Sequence, residues 1–428
     1  MPEKLIRSVF EQYSHLENRL TNALIQVLAS DEGLTREFVR LANVPEPPRN
    51  AQLSFSCQLI PGERRKLDDE ESPEVRAVPD AWIYCGTWAL LIEAKVEAHL
   101  EPNQLRRHVQ IAKRRDFDEV QTVAITADEQ VPDRLLRLSN TRWLNWPSVY
   151  RFLADRRSVS DCVARFLCDQ FLEYVRAVEA KGLAGDRILS TFTGVPFGPD
   201  RPYNEREARV VVRSLLRELR PRLAQSHVLP PFWSDFPKKP LTGTWDVIPF
   251  EFSRGHAFTR HPHLSVGIWE DGSSIELIVP NNAGSHYWKQ LGNRSGEDLR
   301  GCLLQVLQRV RPFGRQVESG QTEPRIMFEI LHRHFPTRTR SIVDGILRFD
   351  IESLSTDGAR SVKKFPGWIN AAKGTLSQAR NVNLQAELKA VYPPSVNSIS
   401  RTPDFVNELV RAAEAMQPFL DLLRGESS

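Results

Sequence analysis

Asp80 and the triplet Glu93-Ala94-Lys95 are the residues of this chain whose types and spacing could do chemistry, near the ends of the stretch VPDAWIYCGTWALLIEAK, residues 78–95. Two carboxylates and an amine can serve the cleavage of a phosphodiester. The charge of that ester repels an anionic nucleophile, and one or two Mg²⁺ ions offset the repulsion and lower the pKa of a bound water. Mg²⁺ prefers hard oxygen ligands, usually one or two carboxylates with several waters retained. Asp80 and Glu93 would supply the carboxylates and the Ala94 backbone carbonyl a third oxygen. Lys95 would hold or polarise the attacking water and stabilise the negative charge developing on phosphorus.

These residues need strands to position them. Ala81 to Cys85 is aromatic and β-branched, Cys85-Gly86 marks a turn, and Trp88 to Ile92 is a continuous apolar run, so the pattern predicts two paired strands. Side chains alternate faces along a strand, which points Glu93 and Lys95 the same way. Glu-x-Lys occurs three times, at residues 93–95, 179–181 and 387–389. The second copy lies in the helix that the apolar-periodic segment Cys162 to Val178 predicts, and the third lies in a similarly helix-favouring stretch, where residues two apart diverge. The first alone combines a predicted strand with an aspartate thirteen residues upstream, 93 minus 80.

The neighbouring elements follow a definite order. Lys4 to Ala29 has the apolar spacing of an amphipathic helix, with Val9, Tyr13, Leu16, Leu20, Ala23 and Val27 on one stripe. Gln52 to Leu59 alternates strictly, Leu53, Phe55, Cys57 and Leu59 against Gln52, Ser54, Ser56 and Gln58. A charged, turn-rich loop, Pro61 to Ala77, leads to the strand pair. Pro102 then opens a helix to about Arg115, and Gln121 to Thr126 reads as another strand. Residues 141–150 close the sheet before Pro147 starts a helix.

This order and motif resemble the PD-(D/E)XK nuclease superfamily, whose core is αβββαβ. Pro79-Asp80 matches its PD element and Glu93-Ala94-Lys95 its (D/E)XK element. The resemblance covers roughly the first 155 residues. It implies a restriction-endonuclease-like α/β core with a central mixed sheet flanked by helices. It also implies a metal role for Glu17 on the first helix, beside Asp80, Glu93 and Ala94, and a catalytic role for Gln104 beside Asp80, Glu93 and Lys95. Where many members carry Gln-x-x-x-Tyr, this chain has His108 four residues after Gln104. Each addition has a plainer reading: Glu17 as a solvated helix residue, Gln104 and His108 as ordinary polar residues of a helix start. Between residues 99 and 115 the helix carries Arg106, Arg107, Lys113, Arg114 and Arg115 against the lone Glu101. Beside such a site, Arg106, Arg107, His108, Lys113 and Arg114 are candidates for contact with a nucleic-acid backbone.

Composition bounds the rest. With 428 residues, 41% hydrophobic and 26% charged, the chain has the make-up of a soluble globular protein with room for two or three domains. No apolar run approaches a membrane span, and the N-terminus lacks a signal-peptide pattern. Five cysteines without paired spacing fit a reducing, cytoplasmic setting. A net charge of +3 makes partner inference depend on local clusters.

Gly and Pro punctuate residues 182–203, suggesting a nuclease-like domain over 1–182, a linker over 183–203 and an α+β domain over 204–428. A helix over Asp161 to Lys181 is ended by Gly182. Asn204 to Leu219 begins with capping-box spacing and carries an arginine stripe, Arg206, Arg209, Arg213, Arg217 and Arg220, opposite Ala208, Val212, Leu215 and Leu219. Strands are expected at 241–252, at 264–270 and 274–280 around the Asp271-Gly272 turn, and at 325–330 and 342–351. Helices are expected over 298–310 and 403–423, and His256, His261 and His263 read as loop residues rather than metal ligands.

Two functions compete. One is a Mg²⁺-dependent endonuclease, with Mn²⁺ able to substitute, that hydrolyses DNA by attack of a metal-bound water in restriction, repair or defence against foreign DNA. The other is a nucleic-acid-binding or sensor protein that keeps the fold without catalysis. The intact Asp80, Glu93 and Lys95 favour the first. The basic helix and the resemblance favour DNA and do not exclude RNA. A double-strand cut needs two active sites and the chain shows one, which points to a homodimer if duplexes are cut. A protein partner or activating ligand would act through the C-terminal half.

Overall fold

A computed structural model describes residue 10 and residues 15–61, 78–155, 161–236, 243–280, 285–314, 324–334, 336, 342–354, 365–377 and 383–425. The chain divides into two units, Met1–Thr191 and Phe192–Ser428, parting inside the Gly- and Pro-punctuated stretch. It is an α/β protein, with one mixed five-stranded sheet and a second, antiparallel sheet of six strands, each with helices.

The first unit runs α1 (Leu16–Ala29), α2 (Glu32–Leu41), β1 (Ser54–Cys57), β2 (Ala81–Cys85), β3 (Trp88–Ala94), α3 (Pro102–Lys113), β4 (Glu119–Thr126), β5 (Thr141–Asn145), α4 (Trp146–Ala154) and α5 (Cys162–Ala180). Its strands lie in chain order. β1, β2 and β3 pair antiparallel, whereas β3 with β4 and β4 with β5 are parallel. A parallel neighbour needs a crossover, and α3 supplies it between β3 and β4. The alternation of β3 divides its side chains between two layers. Trp88, Leu90, Ile92 and Ala94 join a core with Leu24, Leu28 and Phe171 of α1 and α5. Ala89 and Leu91 face the other way, with Trp82 and Ala112 of α3. Glu93 belongs to this second set, which turns it towards α3.

Several boundaries differ from expectation. The expected first helix partly falls at 4–9 and 11–14, outside the described residues, as does most of the 61–77 loop. An unforeseen α2 is capped by Asp31, whose carboxylate accepts the Leu34 backbone N–H at 2.7 Å. β1 ends at Cys57, short of Leu59, because Gln58 has φ of +55° and cannot continue an extended strand.

The second unit comprises α6 (Glu205–Ala224), β6 (Trp245–Pro249), β7 (His263–Trp269), β8 (Gly272–Val279), α7 (His286–Asn293), α8 (Gly296–Gly314), β9 (Arg325–His334), β10 (Ile342–Asp350), α9 (Phe365–Ser377), β11 (Leu384–Tyr392), α10 (Phe405–Ala415) and α11 (Gln417–Arg424). Its strands order as β10-β9-β11-β8-β7-β6. The hairpin at Asp271-Gly272 forms as expected. Gly272 has φ of +144°, and a Cβ there would meet the Tyr392 carbonyl oxygen at 2.4 Å. One sheet face, with Ile275, Leu277, Phe328, Ile330, Ala386 and Leu388, joins Val212, Leu215, Leu303, Leu409 and Phe419 of the helices in a single core. The apolar stripe of α6 is thereby consumed, and Arg209 and Arg220 from its arginine stripe pair with Glu205 and Asp246.

Two expectations fail here. Glu387-Leu388-Lys389 lies in β11, not in a helix. Its Ala, Leu, Glu and Lys content favours helix, but pairing with β8 and β9 and the two-residue rhythm of Leu384, Ala386, Leu388 and Ala390 override that propensity. The closing helix is two helices, parted at Met416, just before Pro418 enters the first turn of α11. Among the described residues no helix is long and apolar enough to cross a membrane. All five cysteines are free thiols.

Candidate active site

The antiparallel register that sets Ala81 opposite Ile92 brings Asp80, just before β2, beside the end of β3. Asp80 Oδ2 accepts the Ala94 backbone N–H at 2.8 Å. Its Oδ1 accepts from Gln58 Nε2 at 2.9 Å, and the same nitrogen donates to Asn18 Oδ1 on α1 at 3.2 Å. Asp80 is buried. Burial and the negative charge of Glu93 push its pKa up to about 6, despite the opposing influence of Lys95.

Glu93 is 1% exposed and is gripped by three donors. Lys95 Nζ lies 2.7 Å from its Oε1, Gln104 Nε2 donates to the same oxygen at 2.7 Å, and His108 Nε2 lies 3.1 Å from Oε2. Burial raises its proton affinity. The hydrogen bonds from His108 and Lys95, with the Lys95 charge, outweigh that and hold its pKa below the ordinary value. For Lys95, burial works against the charged form, and the Glu93, Asp80 and Glu17 carboxylates reverse this, raising its pKa and keeping it an ammonium.

Glu17 reaches the site from α1. Its Oε1 accepts the backbone N–H groups of Val96 and Ala98 at 2.8 and 3.4 Å, and its Oε2 lies 3.9 Å from Lys95 Nζ. Glu17 therefore anchors the chain leaving β3 and braces Lys95. Ala94 is fully buried, its N–H committed to Asp80.

The helix α3 divides its residues sharply. Gln104, Leu105, His108 and Ala112 turn inward, and Arg106, Arg107, Lys113, Arg114 and Arg115 are exposed. His108 thus departs from the expected nucleic-acid contact: at 0% exposure it touches Glu93 and cannot reach a phosphate backbone. Sequence reasoning missed Asn18 and Gln58 altogether. Gln58 was one polar residue among four on the outer face of an expected strand, and no local pattern ties residue 58 to residues 18 and 80.

Carboxylate oxygens are the donors that Mg²⁺ would take. Glu93 and Glu17 lie 2.7 and 3.9 Å from the Lys95 ammonium, and Asp80, buried nearby, has its proton affinity raised first by burial and then by the Glu93 charge. Among the described residues no three His, Cys, Asp or Glu side chains are grouped to hold a metal. An ion held by Asp80 and Glu93 would accordingly complete its shell with water, as Mg²⁺ commonly does. Elsewhere, His261 Nδ1 lies 3.3 Å from the Tyr287 hydroxyl, and His263 opens β7 instead of lying in a loop.

The fold and site define an α/β unit with a buried carboxylate–lysine cluster at the end of an antiparallel strand pair. No protein-family model, curated protein or solved structure matches the chain.

Proposed function

We propose that the first unit is a Mg²⁺-dependent nuclease of the PD-(D/E)XK type with a restriction-endonuclease-like core, hydrolysing DNA phosphodiester bonds by in-line attack of water. The observation that carries this reading is the pairing of Lys95 with the buried Glu93, beside a buried Asp80 held on the backbone N–H of the intervening Ala94. When bound, Mg²⁺ would neutralise the phosphate and lower the pKa of a water. Asp80 and Glu93 would hold the ion. Lys95 stays protonated, so it orients the nucleophile and stabilises charge on the phosphorane-like transition state instead of taking a proton. Gln104 and His108 fix the plane of the Glu93 carboxylate. The exposed Arg106, Arg107 and Lys113 lie on the helix that carries Gln104, and Arg114 caps its end, which supports a role in tracking the nucleic-acid backbone. The second unit serves target or partner recognition.

The test is cleavage of plasmid and linear DNA with Mg²⁺ or Mn²⁺ by wild type, Glu93→Ala and Lys95→Ala. Metal-dependent cutting lost in both variants is the expected result, and cutting that survives either one refutes the assignment. Intact DNA binding without cutting under either metal would favour the non-catalytic binding protein.

A further inference from the structure

Three described non-glycine residues have positive φ: Asn43 at +53°, Gln58 at +55° and Asp116 at +62°. Asn and Asp tolerate this region because their short side chains bond locally. Gln58 has no such excuse. It follows β1 directly, where an extended backbone would have prolonged the alternation of Ser54–Cys57. Strain of this kind persists when surrounding contacts over-determine it, and it gathers at functional sites.

Two of the hydrogen bonds of Gln58 go to Asp80 and a third goes to Asn18. The Gln58 backbone N–H donates to the Asp80 carbonyl at 3.1 Å, and its Nε2 donates to Asp80 Oδ1. An ionised carboxylate can only accept, so the amide nitrogen of Gln58 faces Asp80, and the same nitrogen also donates to Asn18 Oδ1. With Oδ2 held by the Ala94 N–H, both oxygens of Asp80 have one fixed donor, so the carboxylate plane is set from two sides.

We propose that Gln58, braced by Asn18, is a positioning residue that holds the Asp80 carboxylate ready for the metal ion, with its left-handed backbone as the local cost of reaching Asp80. The inference rests on the nuclease reading. Partners behind a metal ligand are typically worth about ten- to a hundredfold in affinity, and Gln58 acts on one of the two carboxylates.

Two variants of the full chain separate the backbone from the side chain. Gln58→Gly relieves the positive φ and removes the amide. Gln58→Met keeps the length and the backbone conformation and deletes the donor. Mn²⁺ affinity, read by calorimetry and by the electron paramagnetic resonance of free Mn²⁺, is expected to fall about tenfold in both. The thermal midpoint of metal-free Gln58→Gly is expected above that of Gln58→Met, which loses the same hydrogen bonds but keeps the positive φ. Binding that Asp80→Ala abolishes but that both Gln58 variants keep within about twofold overturns this inference alone. A metal-free midpoint of Gln58→Gly below that of Gln58→Met would mean that the left-handed backbone carries no strain and would also overturn it. Wild-type protein that binds no Mn²⁺ takes down the nuclease reading and this inference together.

Discussion

Replacing Glu387 with glutamine should stabilise the second unit at pH 8 and leave it nearly unchanged near pH 4.5. Glu387 stands directly across from Glu329, and Lys389 across from Glu276, on the face of the second sheet turned away from its helices. Glu329 and Glu387 are 1% and 5% exposed. Lys389 Nζ lies 2.7 Å from Glu329 Oε2 but 3.8 Å from Glu387 Oε2, and Arg333 approaches Glu387 no closer than 3.6 Å, so the lysine serves Glu329 first. Burial, then the Glu276 charge, push the Glu387 pKa up to about 7 against the pull of Lys389 and Arg333. A carboxyl whose folded pKa exceeds its unfolded value contributes stability that is fully present below about 4.5 and lost as pH rises through about 7. At about 1.4 kcal/mol per pH unit, that interval is worth about 3 kcal/mol. Glutamine is neutral throughout and escapes the loss while still able to bond Gln385, which now donates to Glu387. In a unit of this size, about 3 kcal/mol corresponds to a rise of roughly 6–12 °C in midpoint at pH 8. Urea and thermal unfolding of both proteins at pH 4.5 and pH 8 measure it. An equal difference at the two pH values, or a less stable variant at pH 8, would refute the reasoning.

Other outcomes follow from the same contacts. His108→Leu removes the donor to Glu93 Oε2 in a closed site and should cost about 1–3 kcal/mol in urea unfolding of the first unit. Glu179 accepts the backbone N–H groups of Leu189 and Ser190 at 2.6 and 3.2 Å and the Ser190 hydroxyl at 2.7 Å, so Glu179→Ala should destabilise that unit by about 2–3 kcal/mol, measured the same way. Gly194 has φ of +111° and a Cβ there would lie 2.2 Å from the Arg401 carbonyl oxygen, so Gly194→Ala should cost the second unit about 3 kcal/mol, visible as a lowered midpoint. If Lys113 and Arg114 each contact one phosphate, Lys113→Ala with Arg114→Ala should reduce the salt slope of DNA binding by about 2, and an unchanged slope would remove them from the contact surface.

Strand and helix positions near the site were legible because their determinants are local. The apolar rhythm of residues 81–92, the turn at Gly86 and the proline opening α3 each act within a few residues, and β2 and α3 appear close to where those signals put them. The split of Glu93 and Lys95 from Ala94 followed from the two-residue period alone. Local signals failed where two propensities compete across distance. The stretch around Glu387 reads as helix until β8 and β9 flank it, and Gln58 reads as strand until Asp80 draws it out of line. The four-residue spacing puts His108 on the helix face of Gln104, but that this face of α3 meets the sheet and buries His108 against Glu93 is set by packing.

The sequence by itself determined the chemistry on offer: two carboxylates and a lysine at strand spacing, with a basic helix following. Only the tertiary structure decided how those groups are held, with Asn18 and Gln58 on Asp80, Gln104 and His108 on Glu93, and Glu17 bracing Lys95. The reason is physical. Periodicity and turn chemistry are short-range properties of a chain, whereas a buried carboxylate must find donors wherever the fold brings them, and those of Asp80 and Glu93 come from elements scattered between residues 18 and 108.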